Sequence, residues 1–358
     1  MLRSPNMGPV SYRQLLARFG SAAQAIDALP ELGSRGKTRY RPAPTQRIEK
    51  EIDGVRAAGA RYLFHDQPDY PELLSQLDSA PPIITCRGRL ELASKPCVAM
   101  VGARSASAAS IKLARTFAAQ LAQAGFTVVS GLARGIDGAA HEGALSTIGG
   151  GTIGVIASGI DIAYPPQHED LQERIAEEGL LIAEQPPGTE PRGRHFPSRN
   201  RIIAGLASGT LVVEAAPKSG SLITARLAAE AGREVMAIPG SPLDTRSHGC
   251  NHLIREGAVL ISDPADVIEL LESFTGAPRS TYRVAEEGDE YDHDTAGETE
   301  PIAAAVIEEM LSTAPIAVDE LIRQSGASGA AVQMALLELE LSGSIERHGA
   351  GQVSLSGE

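Results

Sequence analysis

From about residue 80 to 272 the chain alternates short apolar runs with alanine-rich stretches of helical spacing, an order that few folds satisfy. CVAMVGA leads into SIKLARTFAAQLAQAG, FTVVSGLA into GAAHEGALST, and TIGVIASG into HEDLQERIAEEG. LLIAEQ then runs through a long loop to NRIIAGLA, TLVVEAA leads into SLITARLAAEAG, EVMAIPG into CNHLIREGA, and AVLIS closes the series. Continuous apolar runs are buried on both faces, and intervening helices supply the cover. The pattern predicts an α/β domain, an extended Rossmann-like parallel sheet of about seven strands with helices on both faces.

Both flanks are different. SYRQLLARFGSAAQAIDALPEL reads as two short helices joined through Gly20 and Ser21, a small SAM-like or helix-hairpin-helix module within residues 1–75. The Rossmann-like domain then spans 76–273. Residues 274–300 are acidic, contain Gly276, Pro278, Gly288 and Gly297, and hold almost no aliphatic side chains, which predicts a disordered, self-repelling linker. Beyond it, residues 301–358 read as three helices and a short hairpin turning at Gly349 to Gly351, the outline of a winged helix. The last of those helices, Ser328 to Ser342, carries an apolar stripe of Val332, Leu336 and Leu339.

Charge decides which partners this layout can meet. The 358 residues sum to −13, yet residues 286–300 hold eight acids and no Lys or Arg, and residues 301–358 hold eight more against Arg323 and Arg347. The first 285 residues therefore balance at +1, so a basic site can form there. The winged-helix module, with so few cations, is expected not to bind DNA. No apolar stretch approaches the roughly 20 residues that span a bilayer. Residues 1–30 lack the compact apolar core of a signal peptide, and Cys86, Cys97 and Cys250 form no paired framework, which together predict a cytoplasmic protein with no membrane partner.

Several motif matches mislead. Gly149, Gly151 and Gly154 fit G-x-G-x-x-G but lie before and inside the strand TIGVIAS, whereas a dinucleotide fingerprint follows a strand and opens a helix. Gly36-Lys37-Thr38 ends like a P-loop without its first glycine or its strand. His248, Cys250 and His252 stand at i, i+2, i+4 with no further ligand nearby, and His141 reads as a packed histidine. No nucleophile, base and orienter assemble, so neither a metal, a cofactor nor a catalytic residue is expected.

What recurs is a set of small, basic loops at the carboxyl ends of strands. Gly102-Ala103-Arg104-Ser105 follows one strand, and the loop runs on to Ser107. Ser130 to Gly135, with Arg134, follows the next, and Lys218-Ser219-Gly220-Ser221 opens a helix. In an open α/β sheet such loops converge on one edge, where backbone N–H groups, helix N-termini and arginine forks suit phosphate. The loop PRGRHFPSRNRI adds Arg192, Arg194, Arg199 and Arg201 around Phe196. Guanidinium groups interleaved with an aromatic ring suit a single strand, whose phosphates pair while a base stacks.

VGARSAS, SGLARGIDGAAH, GTIGVIASGID, FPSRNRIIAGLASGTLVVEA, SGSLITARLAAEAGREV and GCNHLIREGA, in that order, resemble the DNA-processing protein A family (DprA or Smf) over about residues 60–272. The resemblance implies a non-enzymatic single-stranded DNA-binding protein that dimerises, protects incoming strands and loads RecA recombinase during natural transformation. It puts the Gly-x-Arg signature on Gly102 and Arg104, the basic stretch on Phe196, Pro197, Arg199, Asn200 and Arg201, and the helix opening on Ser219, Gly220 and Ser221. Two departures stand out: Ala109-Ser110 replaces a frequent Tyr-Gly, and His168 replaces the Asn that usually follows Tyr164-Pro165. Arg104 and Arg201 are expected to meet phosphates in one pocket, and Leu253 and Ile254, with Val259 and Leu260 beside them, to form the dimer interface. The competing reading is a nucleotide-processing enzyme similar to the phosphoribohydrolases, whose Pro-Gly-Gly-x-Gly-Thr loop is replaced here by Ala216-Pro217-Lys218-Ser219-Gly220-Ser221.

Overall fold

A computed structural model describes residues 1–5, 7–32, 42–272, 303–312, 315–348 and 351–356; the expected linker at 274–300 and the Gly36 motif lie outside the described residues. The chain divides into two compact units, one made of Met1–Ile48 with Val284–Glu358, the other of Glu49–Arg283. At the start, helices α1 (Pro9–Phe19) and α2 (Ala22–Leu32) follow the predicted break. α1 begins on a proline, whose missing N–H costs nothing in a first turn, and stops at Gly20 in the left-handed region. A third helix, α3 (Thr45–Ala57), follows.

The central unit is a nine-stranded sheet. In chain order its elements are β1 (Arg61–Phe64), α4 (Glu72–Ser75), β2 (Ile83–Gly88), β3 (Cys97–Val101), α5 (Ala108–Gln123), β4 (Thr127–Ser130), α6 (Ile136–Leu145) and β5 (Gly151–Gly159). They continue as α7 (Glu169–Glu178), β6 (Leu180–Gln185), α8 (His195–Leu206), β7 (Gly209–Val212), α9 (Gly220–Glu230), β8 (Glu234–Ala237), α10 (His248–Arg255), β9 (Val259–Leu260) and α11 (Pro264–Glu272). The strand order is β1-β2-β6-β5-β4-β3-β7-β8-β9, and β3 to β9 pair in parallel. These are the expected parallel strands. β1 and β2 extend the β6 edge in antiparallel fashion, so the expected domain boundary at 76 falls inside this unit.

Alternation along β3 shows how the layers form. Cys97, Ala99 and Val101 join one apolar cluster with Ile202, Ile203 and Leu206 of α8, while Val98 and Met100 join another with Phe117 and Leu121 of α5 and Ile136 of α6. Side chains of successive strand residues point to opposite faces, and both faces here are covered. From β3 the chain winds outward to β4, β5 and β6, then returns to place β7 on the other side of β3. That reversal opens a crevice at the carboxyl ends of β3 and β7, the ligand position of open α/β sheets.

The terminal unit ends in α12 (Ala304–Met310), β10 (Ile316–Ala317), α13 (Val318–Ser325), α14 (Gly329–Ser342), β11 (Ile345–His348) and β12 (Gln352–Leu355). The three strands pair in the order β10-β12-β11, completing a winged helix. Val332, Leu336 and Leu339, the predicted stripe, pack with Ile307, Leu321 and Val353. A second face was not evident from that stripe: Leu337 and Leu341 pack with Met7, Leu15, Ala25 and Leu29 of the N-terminal segment.

Candidate nucleic-acid interface

The switch-point crevice is sewn together by one acid. Glu214, just past β7, is buried, and its carboxylate accepts from the Ser107 N–H (3.1 Å), the Ser107 hydroxyl (2.7 Å) and the Ser110 hydroxyl (2.8 Å). Its backbone carbonyl accepts from Ala103 N–H at 2.7 Å. Ser107 also caps α5, accepting from Ser110 N–H at 3.1 Å. The β3 and β7 loops are thus one hydrogen-bonded piece. Gly135 lets the next loop join them, because a Cβ there would stand 2.2 Å from the Ala103 carbonyl and its φ is +77°.

Above this floor lies a cleft of about 550 Å³ lined by Gly102, Arg104, Ser105, Phe196, Asn200, Lys218, Ser219, Gly220, Ser221 and Ile223. A smaller recess of about 200 Å³ adjoins it, lined by Arg104, Arg134, Tyr164 and Phe196. The Arg104 guanidinium lies 5.1 Å from the centre of the Phe196 ring, and the Tyr164 ring lies 5.7 Å from the same ring, tilted by 55°. Tyr164 remains 42% exposed, so its face is open to a ligand. A cation beside two tilted rings offers one donor set for phosphate and two surfaces for a base. The helix α9 opens at the cleft with Ser219 as its cap, and Ser219 and Ser221 exchange a hydroxyl hydrogen bond of 2.8 Å.

Arg199 lies deeper. It is 6% exposed, donates to the Val155 carbonyl at 2.9 Å, and rests on Gly131, where any Cβ would strike its guanidinium. Burial lowers its pKa to about 10 against the opposing attraction of Asp137, so it keeps its charge at neutral pH. Asp137 is itself buried, which raises its pKa, while N–H donation from Gly131 (3.2 Å) and Ala133 (3.4 Å) favours the carboxylate. This arrangement sets a buried cation and an acid side by side under the cleft, and both residues line it.

Residues 61–272 match the model of the DNA recombination-mediator protein A family. The chain belongs to that family. Residues 1–54 match its N-terminal helix-hairpin-helix domain and residues 292–351 its winged-helix domain. Among relatives, Protein Smf of Escherichia coli is 35% identical over 326 residues, covering 90% of this chain and 84% of that protein. The crystal structure of DNA processing protein A from Streptococcus pneumoniae superimposes with a TM-score of 0.65 at 37% identity, over 74% of this chain and 94% of that one. The Helicobacter pylori DNA processing protein A, solved for its single-stranded DNA binding mode, gives 0.54 at 30% identity, over 61% and 99% of the two chains.

Within this DNA-processing fold the expected residues separate into three groups. Gly102, Arg104, Ser105, Phe196, Asn200, Lys218, Ser219, Gly220 and Ser221 line the cleft, and Arg134 lines the recess. Ser107 lies at its floor, held by Glu214, and Arg199, which lines both cleft and recess, donates through Nη1 to Val155 while its Nε has no partner among the described residues. Arg192, Arg194 and Arg201 are not among the lining residues. The expected shared pocket of Arg104 and Arg201 does not form, because PRGRHFPSRNRI is not one loop: helix α8 starts at His195, and a residue two positions after Arg199 lies about 200° around the axis. Arg201 instead pairs with Glu184 and donates to the Ser79 carbonyl.

Tyr164, Ile223, Asp137 and Glu214 are site residues that sequence reasoning missed. Only Tyr164 carried a signal, an aromatic beside prolines at a strand's carboxyl end. The decoys resolve as packing. Gly151 and Gly154 lie in β5, where a Cβ would meet Leu92 or Leu132, and His141 is fully buried with Nδ1 2.7 Å from the Thr152 hydroxyl. His248, Cys250 and His252 sit on α10, with Cys250 turned inward to the Val212 carbonyl. Among the described residues no three His, Cys, Asp or Glu side chains gather as metal ligands, and no helix is long and apolar enough to cross a membrane.

Proposed function

We propose that the switch-point cleft binds single-stranded DNA, with phosphates held by Arg104, Lys218 and the α9 N-terminus and bases stacked on Phe196 and Tyr164. The observation that carries this reading is the Arg104, Phe196 and Tyr164 cluster beside a helix opening, since it joins phosphate donors to stacking faces without selecting a base. The binding mode studied in the Helicobacter pylori relative supports it. In this reading the protein is not an enzyme. It shields incoming strands and passes them to RecA recombinase in natural transformation, working in the cytoplasm as a homodimer. Asp137, which lines the cleft, accepts from Gly131 N–H, and Glu214 accepts from Ser107.

The test is titration of labelled oligothymidine over a range of salt, beside a nucleotide-hydrolysis assay. Arg104→Ala should weaken binding regardless of sequence and make log K against log salt shallower by about 0.7 for each phosphate that Arg104 neutralises. An unchanged slope in a folded variant would remove Arg104 from the interface, and hydrolysis without strand binding would favour the nucleotide-processing enzyme.

A further inference from the structure

The terminal unit contains a helix with no bare face. On one side of α14, Val332, Ala335, Leu336 and Leu339 fill the winged-helix core. On the other, Leu337 and Leu341 meet Leu15, Ala25 and Leu29, with Met334 packed at the margin. Leu15, Leu29 and Leu337 are at most 1% exposed, so this is a core and not a loose touch. At its rim Gln14 Nε2 donates to Gln333 Oε1 at 2.9 Å, and the Arg18 guanidinium rests on the Met334 sulfur. The apolar residues of α14 are thus covered on both sides, while Gln333, Glu338 and Glu340 stay partly exposed.

A helix-turn-helix variant that reads duplex DNA lays one helix in the major groove and sends polar and basic side chains to base edges and phosphates. The outward side of α14 instead offers covered leucine and methionine together with Glu338, and no cation. Residues 301–358 hold two cations: Arg323 makes an exposed pair with Glu320, and Arg347 pairs with Glu340 of α14 at 2.9 Å in a mostly buried bridge. We infer that the winged helix is a protein-binding module whose partner is the chain's own N-terminal helical segment, and that the two fold as one clasp in which α14 is closed to nucleic acid.

Two experiments on the full chain test this. In Gln14→Cys/Gln333→Cys, a short bismaleimide should join N-terminal and C-terminal peptides within one chain, since the three native cysteines are buried. A missing crosslink, or one that joins two chains, overturns the inference. The crosslinked and uncrosslinked forms should bind duplex DNA equally, and a loss on crosslinking would show that α14 opens to read it. Leu337→Glu/Leu341→Glu should speed amide exchange in α1 and α2 by about tenfold or more while β11 and β12 stay protected. Unchanged exchange in α1 overturns the proposal. If the double variant unfolds the winged helix itself, the crosslink decides.

Discussion

Phe196 touches both other members of the proposed binding cluster, so its substitution separates stacking from packing. Phe196→Ala should cost about 1–3 kcal/mol of oligonucleotide affinity, with Phe196→Tyr retaining most of it, and Tyr164→Ala should cost a similar amount. Equal losses for Ala and Tyr at 196, measured by fluorescence titration, would mark the ring as a packing residue. A different kind of side chain sets a pH dependence. His141 is buried with its pKa pushed down to about 3, so the folded state resists a proton that the unfolded chain takes near pH 6.5. Its contribution is therefore complete above pH 6.5 and lost as pH falls toward 3, by up to about 1.4 kcal/mol per unit. Urea unfolding of His141→Asn should show a shallower fall between pH 6.5 and 4, and an identical pH profile would contradict this. Arg104 and the Ser219 to Ser221 cap were legible because small residues and a cation at a strand end have few other uses. Arg199 was named with them, but its burial was not legible: its spacing in FPSRNR matches that of a surface cation, and only the tertiary fold puts Gly131 beneath it.

Among elements, α8 was the misread one. NRIIAGLA signalled a helix, but the basic residues before it suggested a loop, although Pro197 suits a first helical turn. One consequence is that the cations of this stretch point in different directions instead of forming a single strip. β9 and the helix before it separate the residues expected at the dimer interface. Leu253 and Ile254 are partly buried against the core, whereas Val259 and Leu260, in the edge strand, are 37% and 48% exposed. Edge strands carrying bare apolar side chains invite pairing with another chain, and this edge is where a homodimer would form. Val259→Lys/Leu260→Lys should shift sedimentation from dimer to monomer at tens of micromolar while leaving the thermal unfolding midpoint within a few degrees. A wild-type monomer at that concentration would exclude the edge as an interface. The parallel strands themselves were plain from their apolar runs. The antiparallel pair β1 and β2 was hidden, because RYLF and IITCRG stand outside the alternating order.

At the scale of the molecule, the acidity and the proposed DNA-binding cleft belong to different parts of the chain. Residues 286–358 hold sixteen acids, while the proposed cleft lies wholly in the central unit. A fragment of residues 49–272 should therefore bind oligothymidine within about threefold of the full chain at 0.1 M salt, where charges beyond about 10 Å are screened. A tenfold loss would bring one of the chain ends into the interface. Cutting only after 274 is a different experiment, since it strips α14 from Leu15 and Leu29. Charge was legible from the sequence alone, but the partnership of the two ends was not, because neither Leu337 nor Leu341 carries a mark of its distant neighbour. That partnership also changes what unfolding means for the middle of the chain. Met1–Ile48 and Val284–Glu358 close a covalent path of 235 residues, Glu49–Arg283, into a loop. While the ends hold, the melted centre is a tethered ring with fewer conformations than an open chain, a loop-closure entropy that grows as (3/2)RT ln n. The central sheet should accordingly unfold at a higher temperature in the full chain than in the excised fragment, with its folded state unchanged.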